Sequence, residues 1–159
     1  MSRPHELRTD MYNQKFDITY DKAPFIEFFK SDKNVICAIV FGSAIDGIVR
    51  AGSDLDIAVL FHHPPKGEKK LEYYSKICDL NTGIERIDFI ILNDANEILA
   101  FEALKGEYFC KNDIEKTARF FSITCRLYES QIASYERQLK YRKEYYEIQR
   151  SHSKKACTT

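Results

Sequence analysis

Three short runs that are rich in hydrophobic residues, each bounded by glycine or polar residues, are separated along the chain by polar segments. They are residues 35–41, 54–61 and 84–92. A short apolar run that stops at a turn residue, as the first run stops at Gly42, is typical of a buried strand. The pattern therefore predicts three β-strands, with a turn or short helix over residues 43–50.

Apolar residues at helical spacing predict helices beside these strands. A short helix is expected after Asp21, because this residue suits a helix cap and phenylalanines follow on one face. A second helix is expected over residues 67–80. A third is expected from Asn93–Asp94 to Lys105–Gly106, where a cation and a glycine favour a helix end.

The C-terminal part, residues 113–150, is predicted to form one long helix with a heptad seam. The seam consists of Ile114, Ala118, Phe121, Cys125, Tyr128, Ile132, Tyr135 and Leu139. Arg142 takes the next seam position and Tyr146 resumes the pattern. The N-terminal half, from Ile114 to Cys125, is expected to pack on the domain. The C-terminal half either packs against a second chain or belongs to a bent helix that folds back on its own core.

The 159 residues suit a single domain, since 44% are hydrophobic and 30% are charged. We expect a tail or arm at residues 1–19, a core at 20–112, the long helix at 113–150 and a disordered tail at 151–159. The net charge of zero weakens the hypothesis of a general nucleic-acid binder, which would carry a basic excess.

Five cysteines, none at CxxC spacing, indicate reduced thiols in a cytoplasmic protein. The N-terminal segment is polar, and no apolar run approaches the ~20 residues that span a membrane. We therefore expect a protein that is neither exported nor embedded in a membrane.

The segment between the first two strands carries candidate chemistry. Gly42 and Ser43 end a strand where the backbone can approach a phosphate closely. Asp54 and Asp56 are two residues apart in a strand, so both carboxylates point to the same face. Side-by-side carboxylates repel each other unless a cation neutralises them, and oxygen ligands favour Mg²⁺ or Mn²⁺. A helix cap or a solvated strand entrance is the alternative for this pair.

Asp88 lies inside the third predicted strand, where a buried and unpaired carboxylate is costly. If residues 54–61 and 84–92 form neighbouring strands, Asp88 faces the same cations. Taken alone, Asp88 also fits a surface position on an edge strand.

The pattern Gly42-Ser43, ten residues, then Asp54-Leu-Asp56 resembles the nucleotidyltransferases of the DNA polymerase β superfamily. It is most similar to the minimal nucleotidyltransferases (MNT, MntA-like), which the segments SDLDIAVLF and IDFIILNDANEILAFEALKGEYFC also resemble. The resemblance covers roughly residues 35–130. It implies an α/β (α+β) fold, with a mixed β-sheet flanked by helices and a long C-terminal helix.

The resemblance also implies roles for these residues. Gly42 and Ser43 would bind the triphosphate of ATP. Asp54 and Asp56 would hold two Mg²⁺ ions, or Mn²⁺, and Asp88 would help to hold one ion and act as general base. The reaction would be in-line attack of a hydroxyl on the α-phosphate, with release of pyrophosphate.

The family resemblance extends to a partner. Such proteins resemble antitoxins that are paired with HEPN-type toxins and transfer AMP from ATP to a tyrosine hydroxyl of the toxin (AMPylation). Two alternatives stay open: a non-catalytic antitoxin that neutralises its toxin by complex formation, and an adenylyltransferase that acts on a small molecule such as an antibiotic.

One residue departs from the family pattern. Asp46 stands near the phosphate-binding turn, where many relatives carry arginine. A helical turn would bring Arg50 onto the same face, so that the two side chains pair and Arg50 supplies part of the missing positive charge.

Overall fold

The computed structural model describes residues 16–80 and 83–156, with side chains up to residue 151. Its strands are β1 (Ile18–Thr19), β2 (Val35–Phe41), β3 (Ile48–Val49), β4 (Leu55–Phe61), β5 (Ile87–Ile91) and β6 (Glu107–Lys111). Its helices are α1 (Ala23–Ser31), α2 (Glu68–Asp79), α3 (Glu97–Leu104) and α4 (Ile114–Ala156), with 3₁₀ turns at Gly42–Ala44 and Leu92–Asp94. Within the described ranges, no helix is long and apolar enough to cross a membrane.

The main sheet has four strands in the order β5-β4-β2-β6. β2 runs antiparallel to both of its neighbours, whereas β4 and β5 are parallel and are connected through α2. A parallel pair needs a crossover of this kind, because a tight turn can join only antiparallel strands. The predicted mixed sheet flanked by helices is therefore confirmed.

Helices cover both faces of this sheet, which explains why β2 and β4 are almost entirely apolar. One face packs against α1 and α2, with Phe25, Phe29 and Ile77 fully buried. The opposite face packs against α3, whose Ala100 and Ala103 are buried there. Strands buried on both faces lose the alternation of polar and apolar residues that marks a half-exposed strand.

Several element boundaries differ from the prediction. β6 was not predicted, because Gly106 marked a helix end and the short segment after it has no long apolar run. The third helix begins at Glu97, where the side chain of Asn96 accepts a hydrogen bond from Leu99 N at 2.9 Å. Residues 43–50 contain the 3₁₀ turn and the short β3, which pairs with β1.

The terminal segments also differ from the expected arm at residues 1–19 and the expected disordered tail at residues 151–159. β1 begins at Ile18, and α4 continues to Ala156. Residues 1–15 of the expected N-terminal arm and residues 157–159 of the expected C-terminal tail lie outside the described residues.

The prediction for the packing face of α4 is wrong. Ile114 and Phe121 are 74% and 46% exposed, whereas Thr117 and Thr124 are only 5% and 4% exposed. The Thr117 hydroxyl donates to the carbonyl of Asp113 at 2.7 Å, so this side chain is buried without an unpaired polar group. The direction in which α4 leaves β6 therefore selects the face that packs, and hydrophobicity alone did not indicate it.

Candidate active site

Gly42 begins the turn at the end of β2 and lies against Asp56. Its φ of +72° is in the left-handed region, which favours glycine. A Cβ atom at this position would collide with Oδ2 of Asp56. Glycine is therefore required both by the backbone conformation and by the position of the carboxylate.

Three consecutive carbonyls of this turn accept hydrogen bonds from side chains. Arg50 Nη1 donates to Ser43 O at 2.6 Å, the Tyr20 hydroxyl to Ala44 O at 3.0 Å, and Lys22 Nζ to Ile45 O at 2.7 Å. Burial, followed by the charge of Glu107, raises the pKa of Tyr20 to about 12, so the hydroxyl keeps its proton at neutral pH. These bonds hold the backbone of the turn in one conformation.

Asp56 and Asp88 are direct neighbours in the parallel pair β4 and β5, where they occupy the same register position. Register partners in parallel strands point to the same face of the sheet. Asp54 immediately precedes β4 and shares this face by alternation. The structure thus places the three predicted carboxylates at one end of the sheet, beside the Gly42 turn.

The surroundings of Asp56 at this end of the sheet disfavour the ionised form of its carboxyl group. Burial raises the pKa of Asp56 first, and the negative charges of Asp88 and Asp54 raise it further. Asp88 itself is exposed at the edge strand β5. A cation at this position would offset the mutual repulsion of the three groups.

The surroundings of the Asp54 carboxylate are suitable for a bound cation. Its Oδ1 is buried and has no hydrogen-bond partner, and Arg86 Nη1 lies 3.8 Å away, beyond hydrogen-bond range. In the described part of the chain, no three His, Cys, Asp or Glu side chains are grouped closely enough to form a complete protein metal site. Mg²⁺ commonly takes only one or two carboxylates and completes its shell with water and substrate phosphates. The residues present fit that kind of site.

Asp46 and Arg50 pair, as predicted, at 2.6 Å between Oδ2 and Nη2. The hydrogen bond from Arg50 lowers the pKa of Asp46. They do not share a helical face, however, because the 3₁₀ turn ends at Ala44 and β3 follows at Ile48. Since Arg50 also bonds to Ser43 O, its guanidinium is directed at the backbone of the turn.

Sequence reasoning missed the two N-terminal residues that support the turn, Tyr20 and Lys22. Tyr20 lies 24 residues from Ala44, and Lys22 lies 23 residues from Ile45. Lys22 also pairs with Glu107 at 2.6 Å. No local pattern marks such contacts, because they exist only after β1 pairs with β3.

Solved structures with the same fold include toxin–antitoxin complexes. One is a toxin–antitoxin with AMP-PNP (17% identity, TM-score 0.60, 76% of this chain and 97% of that chain). A second is a tri-AMPylated Shewanella oneidensis HEPN toxin in complex with MNT antitoxin (16%, 0.55, 75% and 92%). A third is the toxin–antitoxin MntA–HepT (16%, 0.54, 75% and 93%). At these identities the likeness concerns the fold.

A match to a protein-family model, rather than to an individual protein sequence, identifies the family of this chain. No curated protein sequence matches the chain. Residues 24–115, more than half of the chain, match the family described as Polymerase beta, Nucleotidyltransferase. The matched range includes the Gly42 turn and the three aspartates. The chain therefore belongs to the polymerase beta nucleotidyltransferase family.

Proposed function

We propose that this protein transfers AMP from Mg-ATP to a hydroxyl, that of a tyrosine, on a partner protein. The partner is a HEPN-type toxin, and the protein is the antitoxin of the pair in the cytoplasm. The observation that carries the proposal is the arrangement of Asp54, Asp56 and Asp88 on one face of β4 and β5, beside the Gly42 turn. This arrangement suits a triphosphate held next to carboxylate-bound cations.

Each residue has a distinct role in the proposed reaction. Gly42 and Ser43 bind the triphosphate, because the tight turn lets phosphate approach the backbone and adds a hydroxyl donor. Asp54 and Asp56 would hold two Mg²⁺ ions, or Mn²⁺, and Asp88 would help to hold one of them. The chemistry that these residues would gain from bound ions is neutralisation of charge on the phosphates and their polarisation. Asp88 is exposed, so its carboxylate can accept a proton from an incoming hydroxyl.

The open position of the site favours a large acceptor. Asp88 lies on β5, the edge strand of the sheet, and is exposed. A hydroxyl group on another protein can reach such an edge, and the surface of that protein can cover the open side of the site. A small molecule is not large enough to cover it. Two of the similar structures, one with AMP-PNP and one with a tri-AMPylated HEPN toxin, support this choice of nucleotide and acceptor.

The test is a transfer assay with ATP labelled at the α-phosphate, Mg²⁺ and the product of the adjacent gene. Label is expected on the neighbouring protein, and it should be lost with Asp54→Asn/Asp56→Asn. Asp79→Asn, which removes an exposed carboxylate at the end of α2, is the matched control and should retain transfer. Absence of label with the wild-type protein, while a known AMP-transferring enzyme labels its own acceptor in parallel, would refute the proposal.

A non-catalytic antitoxin is the second candidate. Arg86 lies beside Asp54, and Asp46 places negative charge near the phosphate-binding turn. The charge of Arg86 offsets part of the charge of Asp54, so a cation is less necessary there. The charge of Asp46 weakens the attraction of the turn for phosphate. If Asp54→Asn/Asp56→Asn still neutralises the toxin completely in cells, complex formation is the working mechanism.

A further inference from the structure

The distal part of α4, residues 129–150, leaves the core as a single helix; we refer to it as the distal helix. Just before it, Tyr128 stacks on Phe101 of α3 with ring centroids 3.9 Å apart. In the part of the chain that the structure describes, every residue from 135 to 151 is exposed. At 1.5 Å per residue the distal helix is about 33 Å long.

The distal helix carries a seam that is mostly apolar and that no element in the described part of the chain covers from residue 135 onward. In heptad notation its a positions are Ile132, Leu139 and Tyr146, and its d positions are Tyr135, Arg142 and Gln149. Tyr135, Leu139 and Tyr146 are 58%, 39% and 65% exposed. Since an isolated helix gains its stability largely from burial of such a face, the seam needs a second helix.

The charges that flank the seam change sign at its middle. The four e positions are Glu129, Glu136, Lys143 and Arg150, two acidic residues followed by two basic residues. In an antiparallel pair of helices, e positions face e positions, and flanking charges set partner and orientation. A helix with this order is therefore complementary to itself when the second copy runs in the opposite direction.

We propose that the distal helix pairs with the distal helix of a second copy of this chain, antiparallel, to form a homodimer. Glu129 then faces Arg150 of the second copy, and Glu136 faces Lys143 of the second copy. By symmetry each contact occurs twice. In the seam, Tyr135 packs on Tyr146 of the second copy, and the stem of Arg142 covers Leu139 while its guanidinium reaches solvent.

Other registers and the other orientation are less favourable. A shift of one heptad in one direction brings Glu136 opposite Glu136, and a shift in the other direction brings Lys143 opposite Lys143. In a parallel pair Arg142 meets Arg142 in the seam. The e positions of a parallel pair would face Gln131, Gln138 and Tyr145, which form no ion pairs. The charge order thus favours a single arrangement.

The experiment measures the mass of the full chain by light scattering over a range of concentrations. The expected mass is twice the 18.6 kDa of one chain. E129K/E136K and K143E/R150E should each raise the dimer dissociation constant by about tenfold or more, because attractive pairs become like-charge pairs. An equimolar mixture of the two variants should form a heterodimer. The fourfold exchange E129K/E136K/K143E/R150E should restore the homodimer.

The matched control is E144K/E147K, which makes the same charge change at positions that face away from the seam. It should leave the mass of the dimer unchanged. Three results would each overturn the proposal: a monomer at concentrations up to about 100 µM, a dimer that E129K/E136K does not weaken, or a control that weakens it equally. A chain that stays monomeric and associates only with a different protein would assign the distal helix to that protein instead.

Discussion

Replacement of Gly42 by alanine tests whether the turn and Asp56 act as one unit. Gly42→Ala forces an L-residue to adopt φ +72° and places its Cβ against Oδ2 of Asp56. The backbone conformation costs about 1 kcal/mol of the free energy of unfolding. The carboxylate must move by about 1 Å to reach ordinary van der Waals contact.

These two costs should appear in different measurements. The Asp56 carboxylate is the end of a side chain and can rotate away, so the clash itself should add little to the loss of stability. A displacement of about 1 Å at a reacting centre, however, lowers the rate about 100-fold. We therefore expect Gly42→Ala to lose about 1 kcal/mol in urea unfolding and about 100-fold in the rate of AMP transfer.

Gly52→Ala is the matched control for this prediction. Gly52 has φ +80°, so the backbone cost is similar, but a Cβ there meets nothing within 4 Å. It should lose similar stability and retain most of the transfer rate. If the two variants lose the same amount of activity, the contact between Gly42 and Asp56 has no part in the reaction.

Three further predictions concern the same site. The pKa of Asp56 is raised in the folded protein, so ionisation of this carboxyl group opposes folding as the pH rises through that pKa. Asp56→Asn should therefore raise the melting temperature at pH 7. This gain should vanish below about pH 4, where the carboxyl group is protonated in both the folded and the unfolded protein. Mg²⁺ with a non-hydrolysable ATP analogue should raise the melting temperature of the wild type and leave that of Asp54→Asn/Asp56→Asn nearly unchanged; equal shifts would contradict the assigned ligands. Tyr20→Phe removes the buried hydrogen bond to Ala44 O and should cost about 1 kcal/mol in urea unfolding, with slower transfer; an unchanged rate would show that the turn does not need this support.

Local patterns were sufficient for the strands and for part of the site. The continuous apolar run at residues 35–41 predicted β2, and the apolar stretch that follows Asp54 and Asp56 up to Phe61 predicted β4, because strands buried on both faces need few polar positions. Strand alternation alone placed Asp54 and Asp56 on one face. The pairing of Asp46 with Arg50 was also predicted, although the loop that joins them is not helical.

Contacts between distant segments were not predictable from local patterns. β6 is short and follows a helix-ending glycine, so it became recognisable only through its pairing with β2. The support of the turn by Tyr20 and Lys22 depends on the pairing of β1 with β3. The packing of α4 through Thr117 rather than Ile114 depends on the direction in which the helix leaves β6.

Periodicity between near neighbours in the sequence was enough to predict the strand-forming runs, the long helix and the shared face of Asp54 and Asp56. The position of Asp88 beside Asp56 depends instead on tertiary contacts, because β5 has to pair with β4 in one register after the α2 crossover. The close approach of Gly42 to Asp56 depends on tertiary contacts in the same way. Both contacts depend on how separate strands align, and a one-residue change of register would turn the carboxylates to opposite faces.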